Sequence, residues 1–290
     1  MNVNKCPKVA VVIVTFNRLV LLKECISALR AQTYSNFDII VVNNGSTDGT
    51  KDFLDSESDL IVIHQDNCGG AGGFYAGQKY MYDHPEYDAV LLMDDDGRPD
   101  AHQITEHVNE SIKYGLDFAN ALVVSKDTGK VMGVGVDAIY TKDYFDPIGV
   151  IYGLTAPFNG TYIWRHVMDK VGFIKREMFI WGDDREYIRR VAKAGFRMGT
   201  ITTAVHYHPS FKGDRKCVIP LPFIKGPRVN IKPRGMDKYL YRNIGYIVAE
   251  YGEHIGLRYF FYYFFRFKFS DLKYFFNYYK MGRQNDYSQF

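Results

Sequence analysis

Leu91-Leu92-Met93-Asp94-Asp95-Asp96-Gly97 is an apolar run that ends abruptly in three consecutive carboxylates. Adjacent acids repel one another, so such a triplet calls for a cation or a set of donors close by. In an extended segment side chains alternate, which sets Asp94 and Asp96 on one side and Asp95 on the other. Two hard oxygen ligands at a strand end suit Mg2+ or Mn2+, ions that keep open positions for a substrate's phosphates. Taken alone, the triplet also reads as a solvated acidic turn, because Asp-Gly followed by Pro99 is good turn composition.

The stretches before it repeat the pattern of strand, polar loop and helix. Val9-Ala10-Val11-Val12-Ile13-Val14 is a continuous apolar run of the kind buried on both faces of a parallel sheet. It ends at Thr15-Phe16-Asn17-Arg18, after which Leu21, Leu22, Cys25, Ile26 and Leu29 recur at helical spacing. Phe37-Asp38-Ile39-Ile40-Val41-Val42 closes a βαβ unit and runs into Asn43-Asn44-Gly45-Ser46-Thr47-Asp48-Gly49-Thr50. A third strand over 60–64 leads into Asn67-Cys68-Gly69-Gly70-Ala71-Gly72-Gly73 and then a helix through about residue 82. Four such strands describe an open α/β sheet, whose ligands bind beyond the carboxyl ends. The glycines alone admit two other readings, tight packing or a dinucleotide site, but the G-x-G-x-x-G frame from Gly70 breaks at Tyr75 and follows the third strand.

Two later clusters add chemistry. Phe179-Ile180-Trp181-Gly182-Asp183-Asp184-Arg185-Glu186-Tyr187 opens a helix that stops near Gly195. Asp183 followed by Glu186 reads as a capping box, whereas Asp184 falls in the first turn, where the helix dipole favours its ionised, proton-accepting form. Trp181 offers a wall for a substrate pocket. Gly199-Thr200-Ile201-Thr202-Thr203-Ala204-Val205-His206-Tyr207-His208 is a strand ending in two histidines at i and i+2, either of which could complete a metal site begun by Asp94 and Asp96.

The composition is that of an ordinary globular chain of 290 residues, 47% apolar and 24% charged. Its apolar runs are too short for a transmembrane helix or a signal-peptide core, and the scattered Cys6, Cys25, Cys68 and Cys217 have no metal or disulfide spacing. A cytoplasmic location is expected. A net charge of +3 gives no case for a nucleic-acid partner, but the basic residues gather after residue 210, beside many of the 23 Tyr and 21 Phe. We expect a catalytic domain over 1–210 and, over 211–290, a basic loop with an aromatic helical extension. That extension is either packed helices or a surface for peripheral contact with the inner face of the cytoplasmic membrane.

With these segments side by side, the sequence resembles the inverting GT-A glycosyltransferases of family 2 over roughly residues 8–245. Gly69-Gly70-Ala71-Gly72-Gly73, Asp94-Asp95-Asp96 and Trp181-Gly182-Asp183-Asp184 look most like the galactofuranosyltransferase and rhamnosyltransferase branch. The resemblance implies a GT-A fold, a mostly parallel open sheet flanked by helices. It implies Thr15, Phe16 and Arg18 along the nucleotide, Asn44 and Asp48 near the uridine, and Asn67, Gly70, Asp95 and Trp181 around the donor. Asp94 and Asp96 would hold Mn2+ or Mg2+, with His208 a better match to the metal histidine than His206, and Asp184 would be the base, with Asp183 beside it. An amide stands at Asn44 where an acid is often found.

The chemistry fits. A metal held by Asp94 and Asp96 would neutralise a departing diphosphate, and an ionised Asp184 would take the proton of an attacking hydroxyl. The expected activity is transfer of galactofuranose from UDP-galactofuranose to a cell-surface polysaccharide such as O-antigen, or to a lipid-linked glycan. Transfer of rhamnose from dTDP-rhamnose is the alternative. A nucleotide-cofactor oxidoreductase and a non-catalytic carbohydrate-binding protein are more distant ones.

Overall fold

The structure is a computed structural model that describes residues 6–132, 140–153, 158–210, 214–219 and 226–288. Gly133-Val134-Gly135 and much of the basic loop after residue 210 lie outside the described residues. The chain divides into two compact units, residues 1–176 with 187–210 and residues 177–186 with 211–290.

The first unit opens with β1 (Val9–Thr15), α1 (Leu19–Arg30), β2 (Phe37–Asn43), α2 (Thr50–Ser56), β3 (Leu60–His64), α3 (Gly69–Asp83) and β4 (Ala89–Asp94). It continues through β5 (Arg98–Pro99), α4 (Gln103–Tyr114), β6 (Phe118–Ser125), β7 (Val131–Met132), α5 (Lys142–Phe145), β8 (Val150–Tyr152), β9 (Thr161–Trp164) and α6 (Arg165–Val171). Helix α7 (Asp183–Lys193), whose first four residues are counted with the second unit, and β10 (Met198–His208) follow. The sheet order is β3-β2-β1-β4-β9-β6-β10-β5, with β7 beside β6 and β8 beside β10. The first four strands are mutually parallel, so their loops leave from one edge as the sequence pattern requires. β9 runs antiparallel between β4 and β6. Every residue of β1 is buried, which is why that strand reads as unbroken apolar sequence.

One correction concerns the glycine loop. Gly69, Gly70, Gly72 and Gly73 do not precede the third helix; α3 begins at Gly69 and contains all four. A Cβ at Gly73 would collide with Val14, and one at Gly77 with Val12, so these two glycines let the helix lie directly on β1. Gly70 has nothing within 4 Å of where a Cβ would stand. In β10 the pairing with β6 shifts register between Ile201 and Val205, and the strand end then pairs antiparallel with β5, His206 facing Pro99 and Tyr207 facing Arg98. That short ladder ties the histidine strand to the residues immediately after the three aspartates.

The second unit holds β11 (Asp214–Cys217), β12 (Arg228–Ile231), α8 (Asp237–Tyr251), α9 (Ile255–Phe264) and α10 (Phe269–Arg283). The basic stretch expected to be loop thus includes an antiparallel ribbon of β11 and β12. Leu240, Tyr241, Ile244, Tyr259, Tyr262, Tyr263 and Phe275 form its core, with Trp181 packed against it. No helix among the described residues is long and apolar enough to cross a membrane.

Candidate functional site

At the end of β4 the chain turns, with the Gly97 N–H directed back to the Asp94 carbonyl. Asp95 and Asp96 are therefore in a turn and not in an extended segment, yet the division of the triplet holds. Asp95 is 3% exposed and accepts hydrogen bonds from the Thr15 hydroxyl at 2.7 Å and Arg18 Nη1 at 3.1 Å. Asp94 and Asp96 face His208 instead: one ligand atom from each of the three lies within 4.8 Å of the others. His208 Nε2 is 3.1 Å from Asp96 Oδ1, and its Nδ1 is 2.7 Å from the Pro209 carbonyl. A proton on Nδ1 leaves Nε2 as the donor atom, the arrangement a metal-binding imidazole needs.

The charges are unbalanced there. Burial first, and then the charges of Asp96 and Asp95, push the Asp94 carboxyl up to about 7 against the opposing charges of His208 and Arg18. Burial also works to raise Asp96, but the bond and charge of His208, then the charges of Arg18 and Lys126, hold it below the usual carboxylate range. Against burial, the Asp96 carboxylate lifts His208 above the ordinary imidazole value. Three acids in one buried turn are short of positive charge, and two carboxylates with one imidazole are a hard, oxygen-rich donor set. The residues fit a divalent cation of the Mg2+ or Mn2+ type. No sequence signal marked Lys126, whose Nζ donates to the Asp96 carbonyl at 2.7 Å from the turn after β6.

His206 stands outside that group, which narrows the histidine choice to His208. Its ring is fully buried, with Nδ1 3.0 Å from Gln103 Oε1, and burial depresses it to about 3. A Cβ at Gly97 would collide with that ring, so His206 packs beneath the aspartate turn.

The surrounding loops are braced by polar side chains. Asp48 accepts from the Leu19 N–H at the start of α1 and from Thr50 at the start of α2, tying the first two loops together. Asn44, expected near a uridine, is 2% exposed: its Nδ2 donates to the Gly69 carbonyl, and its Oδ1 accepts from Gln65 and the Cys68 N–H. Asn67 Oδ1 accepts from the Gly69 N–H. Arg18, half exposed, also reaches Asp96 at 2.8 Å, and Phe16 is 43% exposed, so both present surface at the carboxyl edge.

In the second unit, the segment before α7 is strained. Phe179, Trp181 and Gly182 have φ of +62°, +60° and +108°, a region that bulky side chains rarely adopt. It is held from α8: Asn243 Nδ2 lies 2.8, 3.1 and 3.0 Å from the carbonyls of Met178, Ile180 and Trp181. The neighbouring Arg242, fully buried, donates to the carbonyls of Glu177 and Met178. Lys232 sits 4.4 Å from the Trp181 ring centre, and Phe179 stacks on Tyr239. Asp183 begins the helix and is buried. Asp184 accepts from the Arg185 N–H at 2.7 Å. The helix start was expected to favour its ionised form; burial instead outweighs those backbone donors and raises its pKa. Arg242 and Asn243, sixty residues downstream, carried no mark in the sequence.

Several known proteins resemble this chain. The chain is 26% identical to galactofuranosyltransferase GlfT1 of Mycolicibacterium smegmatis over 84% of each chain. It is 27% identical to GlfT1 of Mycobacterium tuberculosis, over 83% of this chain and 82% of that one. Among solved structures it resembles S. aureus TarS 1–349, with TM-score 0.57 and 14% identity over 89% of this chain and 70% of that one. TarS 1–349 in complex with UDP gives a TM-score of 0.56 at 13% identity. These likenesses place the fold with the GT-A glycosyltransferases. The pattern of Glycosyl transferase family 2 matches residues 10–178, more than half of the chain, and the protein belongs to that family of glycosyltransferase enzymes.

Proposed function

We propose that the protein transfers galactofuranose from UDP-galactofuranose, with inversion, to a cell-surface polysaccharide or lipid-linked glycan at the cytoplasmic membrane face. The observation that carries this reading is the convergence of Asp94, Asp96 and His208 at the end of β4. Those three residues would hold Mn2+ or Mg2+, and the ion would supply charge neutralisation of the departing diphosphate. Arg18 and Lys126 bring two further cations to the Asp96 side of the turn. Gly70 leaves open space beside the backbone, which suits a donor sugar or phosphate approaching closely.

Asp184 is the general base in this scheme. Its raised pKa makes it a stronger base than an ordinary carboxylate. The braced, strained turn before it fixes where its oxygens point. One displacement by the acceptor hydroxyl inverts the anomeric centre and needs no covalent intermediate.

Galactofuranose is preferred over rhamnose because the GlfT1 relatives are named as galactofuranosyltransferases and match over more than four-fifths of both chains. Incubation with each donor and a galactose-ended acceptor, with Mn2+ or with EDTA, tests the reading. Metal-dependent transfer from UDP-galactofuranose is expected. Transfer from dTDP-rhamnose alone would overturn the donor and leave the reaction class.

A further inference from the structure

The two C-terminal helices carry their aromatic rings in an inverted arrangement. The phenols are inside: Tyr259, Tyr262 and Tyr263 are buried with Phe275. Their polar ends are provided for, with the Tyr259 hydroxyl donating to the Asn230 carbonyl and Tyr263 bonded to Tyr241. The purely apolar rings are outside: Phe261, Phe264, Phe265, Phe267, Phe269 and Phe276 are each at least 40% exposed. Water alone would favour the opposite choice, tyrosine out and phenylalanine in. Nor are the rings scattered. Phe264 and Phe265 lie 5.8 Å apart, Phe261 stacks on Phe265 and Phe260 on Phe264, and Phe260 meets Phe276 at 5.9 Å across to α10. Phe267 and Phe269 meet at the turn between the helices.

The turn adds an independent observation. The Lys268 N–H bonds the Tyr263 carbonyl and the Phe267 N–H bonds the Phe264 carbonyl, the helix-ending pattern whose left-handed residue is ordinarily glycine. Here that residue is Phe267, at φ +55° and 79% exposed. Backbone strain is thus accepted in order to hold an apolar ring in solvent at the tip of the hairpin.

Charge points to the occupant. Residues 255–283 contain six Lys and Arg and one acid, Asp271, which is paired with Arg234. Arg258, Lys268 and Lys273 are exposed and have no carboxylate partner among the described residues. Two copies meeting through this face would bring like charges together, whereas an anionic lipid surface complements them. Neither helix is long and apolar enough to cross a membrane, so the rings can enter only the headgroup region. We propose that the outer face of the α9–α10 hairpin docks the protein on anionic bilayers. This proposal does not depend on the donor assigned above.

Co-sedimentation of the full chain with vesicles of phosphatidylcholine mixed with phosphatidylglycerol, and with phosphatidylcholine alone, tests it. Binding to the mixed vesicles only, weakened by salt, is expected. Replacing Phe264, Phe265 and Phe267 by Ser should lower partitioning by about 10-fold or more while the circular dichroism stays unchanged. Phe267→Asn is the sharper variant and suffices if the triple variant fails to fold. Asn tolerates positive φ, so this protein should melt no lower than wild type and still bind vesicles more weakly. Absence of vesicle binding by wild type, or equal binding by the variants, would overturn the proposal. So would a dimer that Phe267→Asn converts to monomer with vesicle binding untouched, which would make the face a self-association surface.

Discussion

The turn after β4 and the turn before α7 each present an aspartate, but they are built by opposite means. Asp94 and Asp96 stand where a parallel strand delivers them, and their partner Asp95 is fastened by Thr15 and Arg18 from the adjacent strand end. Asp184 follows a backbone forced into three positive φ angles and kept there by Asn243 and Arg242. In the first region the sheet supplies the geometry, and charge is what must be balanced. In the second, geometry itself must be maintained, and one buried amide does most of it.

The comparison breaks most visibly when the acids themselves are removed. Asp94→Ala and Asp96→Ala should lower activity to background and abolish the metal-dependent thermal stabilisation by UDP, since the ligand set falls from three to two. Asp184→Asn should cost at least ~100-fold in kcat, the usual scale for losing general-base catalysis, with a normal response to UDP. A pH profile sharpens that role. Because burial raises its pKa, Asp184 becomes protonated, and activity falls, at a pH above the ordinary carboxylate range; the Asn variant should lack that acid limb.

Smaller effects probe the supports. Asn243→Ala leaves three carbonyls without their shared donor and should destabilise the protein by ~1–3 kcal/mol in denaturant unfolding, lowering kcat more than donor affinity. Gly73→Ala should destabilise through collision with Val14, whereas Gly70→Ala, with open space and an unstrained backbone, should change thermal stability by less than ~1 kcal/mol. Equal losses from the two glycine variants would remove the distinction between packing and donor-facing positions.

Much of the first region was legible because parallel strands buried on both faces leave continuous apolar runs, and their ends were marked by Asp, Asn and Gly. The triplet's division also read correctly, although a turn and not strand alternation produces it. What stayed hidden depended on distant pairing. The choice of His208 over His206 is made by a two-residue ladder between β5 and β10, more than a hundred residues apart in sequence. The helical placement of the four loop glycines was missed because Val14, which requires the close approach at Gly73, lies on a strand distant in sequence. Asn243 sits in an aromatic helix and resembles any surface amide until the carbonyls of Met178, Ile180 and Trp181 are seen around it. Raising of the Asp184 pKa likewise depends on burial, which helix position alone does not reveal.

The division of labour between the two turns is tested most directly by titrating UDP, with Mn2+ present, into wild type, Asp96→Ala and Asp184→Asn in a calorimeter. The account predicts that Asp184→Asn binds as wild type does and that Asp96→Ala shows no metal-dependent binding. Loss of binding in Asp184→Asn, or its retention in Asp96→Ala, would contradict it.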